Sequence, residues 1–264
     1  GCTGAALEEA ILREGPQSGA AFIAEPVGGS STGACVPRPE YFRRVREICD
    51  RHQVLFIADE VLTGAGRTGT WTAIEPYGVV PDILTLGKGI AGGCVPLSAV
   101  CACEPILEVI ARGSGAFLHA QTFSHNPVLC AAGLAAVTYI KSHGLIERCA
   151  QMGKILHERL RPLLGLPHVG DIRGRGLLAG IEFVSDKATR APFPRKLKFA
   201  ESFTDAAQAA GLIVWPNAGQ ADGENGDLVM LAPPFIVTEA ELDEIVIRFK
   251  TALIATQEKL HVHR

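Results

Sequence analysis

The chain has 264 residues, 47% hydrophobic and 6% aromatic, with 29 glycines and a formal net charge of −3. That is the composition of a globular α/β protein with one large or two smaller domains, and it excludes disordered and fibrous classes. The slightly acidic balance argues against a general nucleic-acid or anionic-membrane binder, and no apolar run approaches the ~20 residues of a spanning helix.

The eight cysteines are scattered. Cys101 and Cys103 form C-x-C, but there is no C-x-x-C and no zinc-like Cys/His spacing, so no metal site is expected. A reducing, cytoplasmic setting is expected, with most cysteines acting as small core residues. The chain begins Gly-Cys-Thr-Gly, without an initiator Met, a basic n-region or an apolar h-region. It enters a helix at once, over Ala5–Glu14, with Leu7, Ile11 and Leu12 on one face. The expectation is a fragment that starts partway through a domain.

Residues 19–25 read as a first buried strand ending in Glu25-Pro26. A loop rich in Gly, Ser and Thr follows, over 27–36. Residues 39–52 read as an amphipathic helix with Phe42, Val45, Ile48 and Cys49 on one face. Next comes an apolar run, 54–58, that ends in Asp59-Glu60. Strand, helix and strand with short connections make a βαβ unit with parallel strands. A second apolar run, 82–86, ends in Gly87-Lys88-Gly89. Such runs fit strands buried on both faces of a helix-covered parallel sheet. Between them, Gly64-Ala65-Gly66-Arg67-Thr68-Gly69 matches G-x-G-x-x-G. No uninterrupted helix follows it, and Asp82 precedes its strand, so a glycine-hinged turn is expected rather than a dinucleotide fingerprint.

Residues 97–103 are a further strand and 104–111 a helix. Thr122-Phe123-Ser124-His125-Asn126 then precedes a long helix, 127–141. Hydroxyls and free N–H groups there suit a phosphate, and equally an ordinary cap by Ser124 or Asn126. After Gly144 come a helix over 145–164, strands over 169–173 and 177–184, a helix over 198–210, and strands over 212–215 and 228–231. Thr238-Glu239-Ala240-Glu241 is a capping box that opens the last helix. This mixture reads as a smaller α+β domain. The division is therefore 1–143, part of a large α/β domain, and 144–264, a small α+β domain.

Ligands of parallel sheets bind outside the carboxyl ends of the strands. Here those ends carry Asp59 and Lys88 among small residues. A lysine beside glycines can hold an aldehyde cofactor as a Schiff base, and a carboxylate can keep a pyridine nitrogen protonated, the pairing used for pyridoxal phosphate. Taken singly, each residue also fits a turn former or a solvated strand end.

The residues in order resemble the class III (ω-type) aminotransferases, pyridoxal-phosphate enzymes of fold type I. The resemblance rests on Phe56-Ile57-Ala58-Asp59-Glu60-Val61, Thr63 to Gly69, and Leu86-Gly87-Lys88-Gly89. Upstream it includes Glu25-Pro26-Val27. Downstream it includes Thr122-Phe123-Ser124-His125-Asn126-Pro127, Arg173-Gly174-Arg175-Gly176-Leu177, and Ala232-Pro233-Pro234 with Thr238. The segments cover nearly the whole chain, which looks like the C-terminal ~60% of a family member.

The resemblance implies that Lys88 carries the cofactor and later moves the substrate proton. It implies that Asp59 pairs with the ring nitrogen, and that Val61 packs on one ring face. Thr122 would bind the cofactor phosphate of the partner subunit in a homodimer, and Glu25 would stand at the substrate entrance. The part of a family member ahead of this segment holds a phosphate-cradling loop and an aromatic residue that stacks on the other ring face. Val229-Met230-Leu231 stands where amino-acid-specific members have an arginine, which points to an amine or ω-amino acid as donor, or to a different carboxylate clamp; the resemblance implies a 2-oxo acid as acceptor. A lyase, decarboxylase or aminomutase on the same scaffold, or a truncated non-catalytic homologue, are the alternatives. Asp59 and Lys88 cannot discriminate among the enzymes.

Overall fold

The computed structural model describes residues Gly4 to Val262. They form two compact units. One runs to Pro26 and resumes over 37–146; the other comprises 27–36 and the residues from 147 onward.

In the first unit, β1 (Ala21–Ala24), β2 (Leu55–Glu60), β3 (Ile83–Leu86) and β4 (Ala99–Ala102) form one sheet in that order. β1, β2 and β3 are parallel, and β4 runs antiparallel to β3. The expected βαβ unit is β1, α2 (Tyr41–His52) and β2. α2 forms because Phe42, Val45, Ile48 and Cys49 recur at helical spacing, and all four are buried against Phe56 and Ala58. The Phe42 ring stacks on Phe56 at 5.7 Å and meets Tyr77 edge-on at 5.0 Å. Arg46 on α2 reaches Asp82 Oδ2 at 2.7 Å, and the same oxygen accepts from the Phe56 N–H at 2.7 Å. Asp82 therefore ties α2 and β2 to the start of β3. α1 (Ala5–Glu14) lies against α2, with Ile11 in the same core.

Alternation along β2 gives two neighbouring acids opposite surroundings. Phe56, Ala58 and Glu60 point into the core, while Leu55, Ile57 and Asp59 occupy the other, less covered face. α3 (Glu104–Arg112) and α4 (Pro127–Ser142) complete this unit. Asn126 caps α4, its Oδ1 accepting from the N–H groups of Val128 at 3.0 Å and Leu129 at 3.3 Å.

The second unit holds an antiparallel sheet of β5 (Val169–Arg175), β6 (Leu178–Phe183), β7 (Trp215–Ala218) and β8 (Asp227–Leu231), in the order β5-β6-β8-β7. α5 (Leu145–Leu160), α6 (Phe199–Ala209) and α7 (Glu239–Val262) pack against it around Phe183, Phe199, Phe203 and Phe249. The strand expected over 212–215 begins only at Trp215. Leu212 and Val214 are apolar because they enter the core ahead of the strand. The capping box forms as expected: the Thr238 N–H donates to Glu241 at 2.8 Å, and the Glu241 N–H returns to Thr238 Oγ1 at 3.3 Å.

The loop 27–36 lies against this second sheet. A Cβ at Gly180 would meet the Gly33 carbonyl oxygen at 2.1 Å, so only glycine lets the two backbones approach this closely. Arg173 clasps the same loop, donating to the Thr32 carbonyl at 2.8 Å while paired with Glu182 at 2.6 Å. No single described helix is long and apolar enough to cross a membrane.

Candidate active site

The sheet of the first unit brings Glu25, Asp59 and Lys88 to its carboxyl edge. Asp59 stands opposite Thr85 in the parallel ladder. Its Oδ1 accepts from the Val61 N–H at 3.0 Å and from Thr85 Oγ1 at 3.3 Å. Both bonds fall on Oδ1, which leaves Oδ2 available to a further donor. On the other side, β1 pairs Ala24 with Ala58. Glu25 is the next residue and so lies level with Asp59. Glu25 is half-buried.

Lys88 follows β3 by two residues and opens a short 3-10 turn, Lys88–Ala91. Its φ is +43°, left-handed backbone for a residue with a side chain. Such strain recurs where a turn must aim a functional group, and here it holds an exposed lysine just beyond the strand end. Gly87 lets this turn pass Val61, because a Cβ there would lie 3.1 Å from Val61 Cγ1. Gly89 passes the glycine loop, its Cβ position falling 3.5 Å from both Ala65 Cβ and the Gly64 carbonyl oxygen. Val61 and the Gly64–Ala65 corner thus wall the backbone on either side of Lys88. Residues 61–74 form a run of turns rather than a helix, as read from the sequence, so the dinucleotide fingerprint lacks its helix.

Thr122 is exposed, in the turn that precedes α4. At that helix start Asn126 accepts from the first free N–H groups, as the capping reading expects.

Sequence reasoning assigned no role to Glu60 or Thr63. Both are fully buried. Glu60 Oε2 accepts from Thr63 Oγ1 at 2.5 Å and from the Ala73 N–H at 3.0 Å, and Oε1 accepts from the Ile74 N–H at 2.9 Å. Burial pushes the Glu60 carboxyl above its ordinary range, against the opposing pull of these three donors. A signal existed: Glu60 continues the inward parity of Phe56 and Ala58, so a charge at that position requires buried partners.

The Aminotransferase class-III family matches residues 3–253. An uncharacterized aminotransferase of Schizosaccharomyces pombe is 41% identical over 251 residues, which cover 95% of this chain and 55% of the relative. Gamma aminobutyrate transaminase 2 of Solanum lycopersicum is 37% identical over 257 residues, covering 96% of this chain and 54% of that protein. Among solved structures, a PLP-bound amine transaminase from an uncultivated Pseudomonas species matches with a TM-score of 0.87 at 38% identity. That match covers 95% of this chain and 55% of the solved one. The chain spans about half the length of these relatives. With the match reaching across nearly all of its residues, the chain belongs to the class III aminotransferase family.

Proposed function

We propose that the protein carrying this chain is a pyridoxal-phosphate-dependent transaminase that moves an amino group from an amine or ω-amino acid to a 2-oxo acid. The observation that carries this reading is the pair at the carboxyl edge of the sheet. Asp59 has one oxygen held by Val61 and Thr85 and the other available, and Lys88 is exposed in a left-handed turn beyond the adjacent strand. This donor set fits the cofactor: Lys88 would hold its aldehyde, and Asp59 would hold the ring nitrogen in its protonated form. When bound, pyridoxal phosphate supplies an electron sink for the α-carbon. The Lys88 amine would also serve as the base that moves the proton at the substrate's α-carbon. Val61 offers an apolar wall for a ring face.

The donor class is supported by Val229-Met230-Leu231, which are buried in β8 and offer no cation for an α-carboxylate. It is supported as well by relatives named as an amine transaminase and a gamma aminobutyrate transaminase. A homodimer in which Thr122 reaches the partner's cofactor phosphate is supported by the exposed apolar side chains beside it, Phe117, Leu118, Phe123 and Val128.

The test is absorption of the intact gene product near ~420 nm with added pyridoxal phosphate, with borohydride trapping and mapping of the labelled peptide. Label on Lys88, lost in Lys88→Ala together with at least about 10³-fold of turnover, is the expected result. Turnover retained in Lys88→Ala refutes the assignment.

A further inference from the structure

The transaminase reading leaves the buried carboxylate of Glu60 without a role. It lies on the same strand as Asp59 but on the opposite face, with 0% exposure. Its three donors come from the two ends of one loop, Thr63 at the start and Ala73 and Ile74 at the finish. A single carboxylate therefore closes the intervening residues into a ring. That ring includes the Gly64–Ala65 corner, which abuts Gly89, and Val61 just ahead of it abuts Gly87. The main chain adds one tie at the same end, from the Gly64 N–H to the Glu60 carbonyl at 2.8 Å.

We propose that Glu60 is a positioning residue of the site: by clamping both ends of the loop 61–74, it sets the wall that Val61 and Gly64–Ala65 hold against the Lys88 turn. The proposal rests on the reading of Lys88 and Asp59 as the cofactor site. Glu60 acts through the loop and touches neither substrate nor cofactor. Its two oxygens accept three hydrogen bonds, a task the carboxamide of the same shape cannot repeat. In Glu60→Gln, the carboxamide has one oxygen. Its NH2 must face either the Ala73 N–H or the Ile74 N–H, which leaves a buried backbone donor without an acceptor. The expected result is a loop that opens at its 73–74 end and a looser wall beside Lys88.

The loop contains its own reporter. Trp71 lies inside the ring at 37% exposure; with Trp215→Phe removing the other tryptophan of these 264 residues, the emission lost on adding Trp71→Phe is the signal of Trp71. The experiment measures acrylamide quenching of Trp71 without cofactor. It then titrates pyridoxal phosphate by borohydride-trapped label on Lys88, in the intact gene product carrying Trp215→Phe alone or with Glu60→Gln, Thr63→Val or Thr63→Ser.

Glu60→Gln is expected to raise Trp71 quenching and to weaken cofactor capture on the order of tenfold. Thr63→Val, which removes one donor of three, should shift both readings the same way by a smaller factor and serves in place of Glu60→Gln if that variant does not fold. Thr63→Ser keeps the hydroxyl and should stay within about twofold of the parent. Parent-like quenching in Glu60→Gln overturns the clamp. Raised quenching with parent-like capture overturns the positioning role, as does a lowered melting temperature with both readings unchanged. A parent that never links the cofactor to Lys88 refutes the cofactor reading itself, and the positioning role falls with it.

Discussion

Gly64→Ala adds one methyl group at the corner that abuts the Lys88 turn. The new Cβ would lie 2.6 Å from Leu86 Cδ2 and 2.7 Å from the Glu60 carbonyl oxygen. Leu86 can swing aside at modest cost. The carbonyl cannot, because it belongs to the last residue of β2 and already accepts the Gly64 N–H at 2.8 Å. Relief requires moving the strand end or stretching that hydrogen bond. Overpacking costs about 1–3 kcal/mol, and the weakened hydrogen bond adds about 1 kcal/mol, for about 2–4 kcal/mol in all. Gly19→Ala is the control in the same unit, since its Cβ would meet only Val54 Cγ2, at an ordinary contact distance of 3.7 Å; it should change stability by at most about 0.5 kcal/mol. Neither glycine has a positive φ, so backbone strain does not separate them. The assay is urea unfolding followed by Trp71 fluorescence in a Trp215→Phe background, which reports on the first unit. A Gly64→Ala protein within about 0.5 kcal/mol of its parent refutes the close approach.

Burial pushes the Cys49 thiol up to about 11, and its side chain is inaccessible. Iodoacetamide at about pH 8 should therefore leave Cys49 unmodified in the folded protein while labelling the exposed Cys94, Cys101 and Cys130; peptide mapping that finds Cys49 labelled at their rate contradicts this. His157 is held below the ordinary histidine range by burial, only partly offset by its hydrogen bond to the Gly176 backbone. The unfolded chain therefore takes up that proton first. The His157 contribution is intact above about pH 6.5 and is lost as the pH falls through the lower folded value, by at most about 1.4 kcal/mol per pH unit. His157→Leu should lack this acid-side loss, and urea midpoints at about pH 7 and about pH 5 with the same slope in both proteins would sink the argument. Thr238→Ala removes one half of the capping box that opens α7 and should cost about 1 kcal/mol. Thr238→Ser should restore most of it, so equal melting temperatures for Ala and Ser variants would count against the cap.

Much of the fold was legible because its signals are local. α2 was readable from Phe42, Val45, Ile48 and Cys49, whose spacing alone puts them on one face. α7 was readable from Thr238 and Glu241, whose reciprocal bonds need no distant partner. The apolar runs ending in Asp59 and Lys88 located the strand ends, and a sheet of that kind places its ligand there. Local signals failed where burial belongs to a loop: Leu212 and Val214 look like strand residues, yet they fill the core before β7 begins.

The sequence by itself determined which residues could do chemistry, since amine and carboxylate are properties of Lys88 and Asp59, and it determined the strands that carry them, since apolar runs bounded by turns have few other solutions. Only the tertiary structure decided how each acid is used. Asp59 and Glu60 are adjacent and chemically alike, but a strand sends them to opposite faces. The less covered face leaves Asp59 with an available oxygen, whereas the core surrounds Glu60 with three donors that come from residues up to 14 positions away. Partners so distant along the chain meet only once the loop has folded back, so no local pattern could have named them.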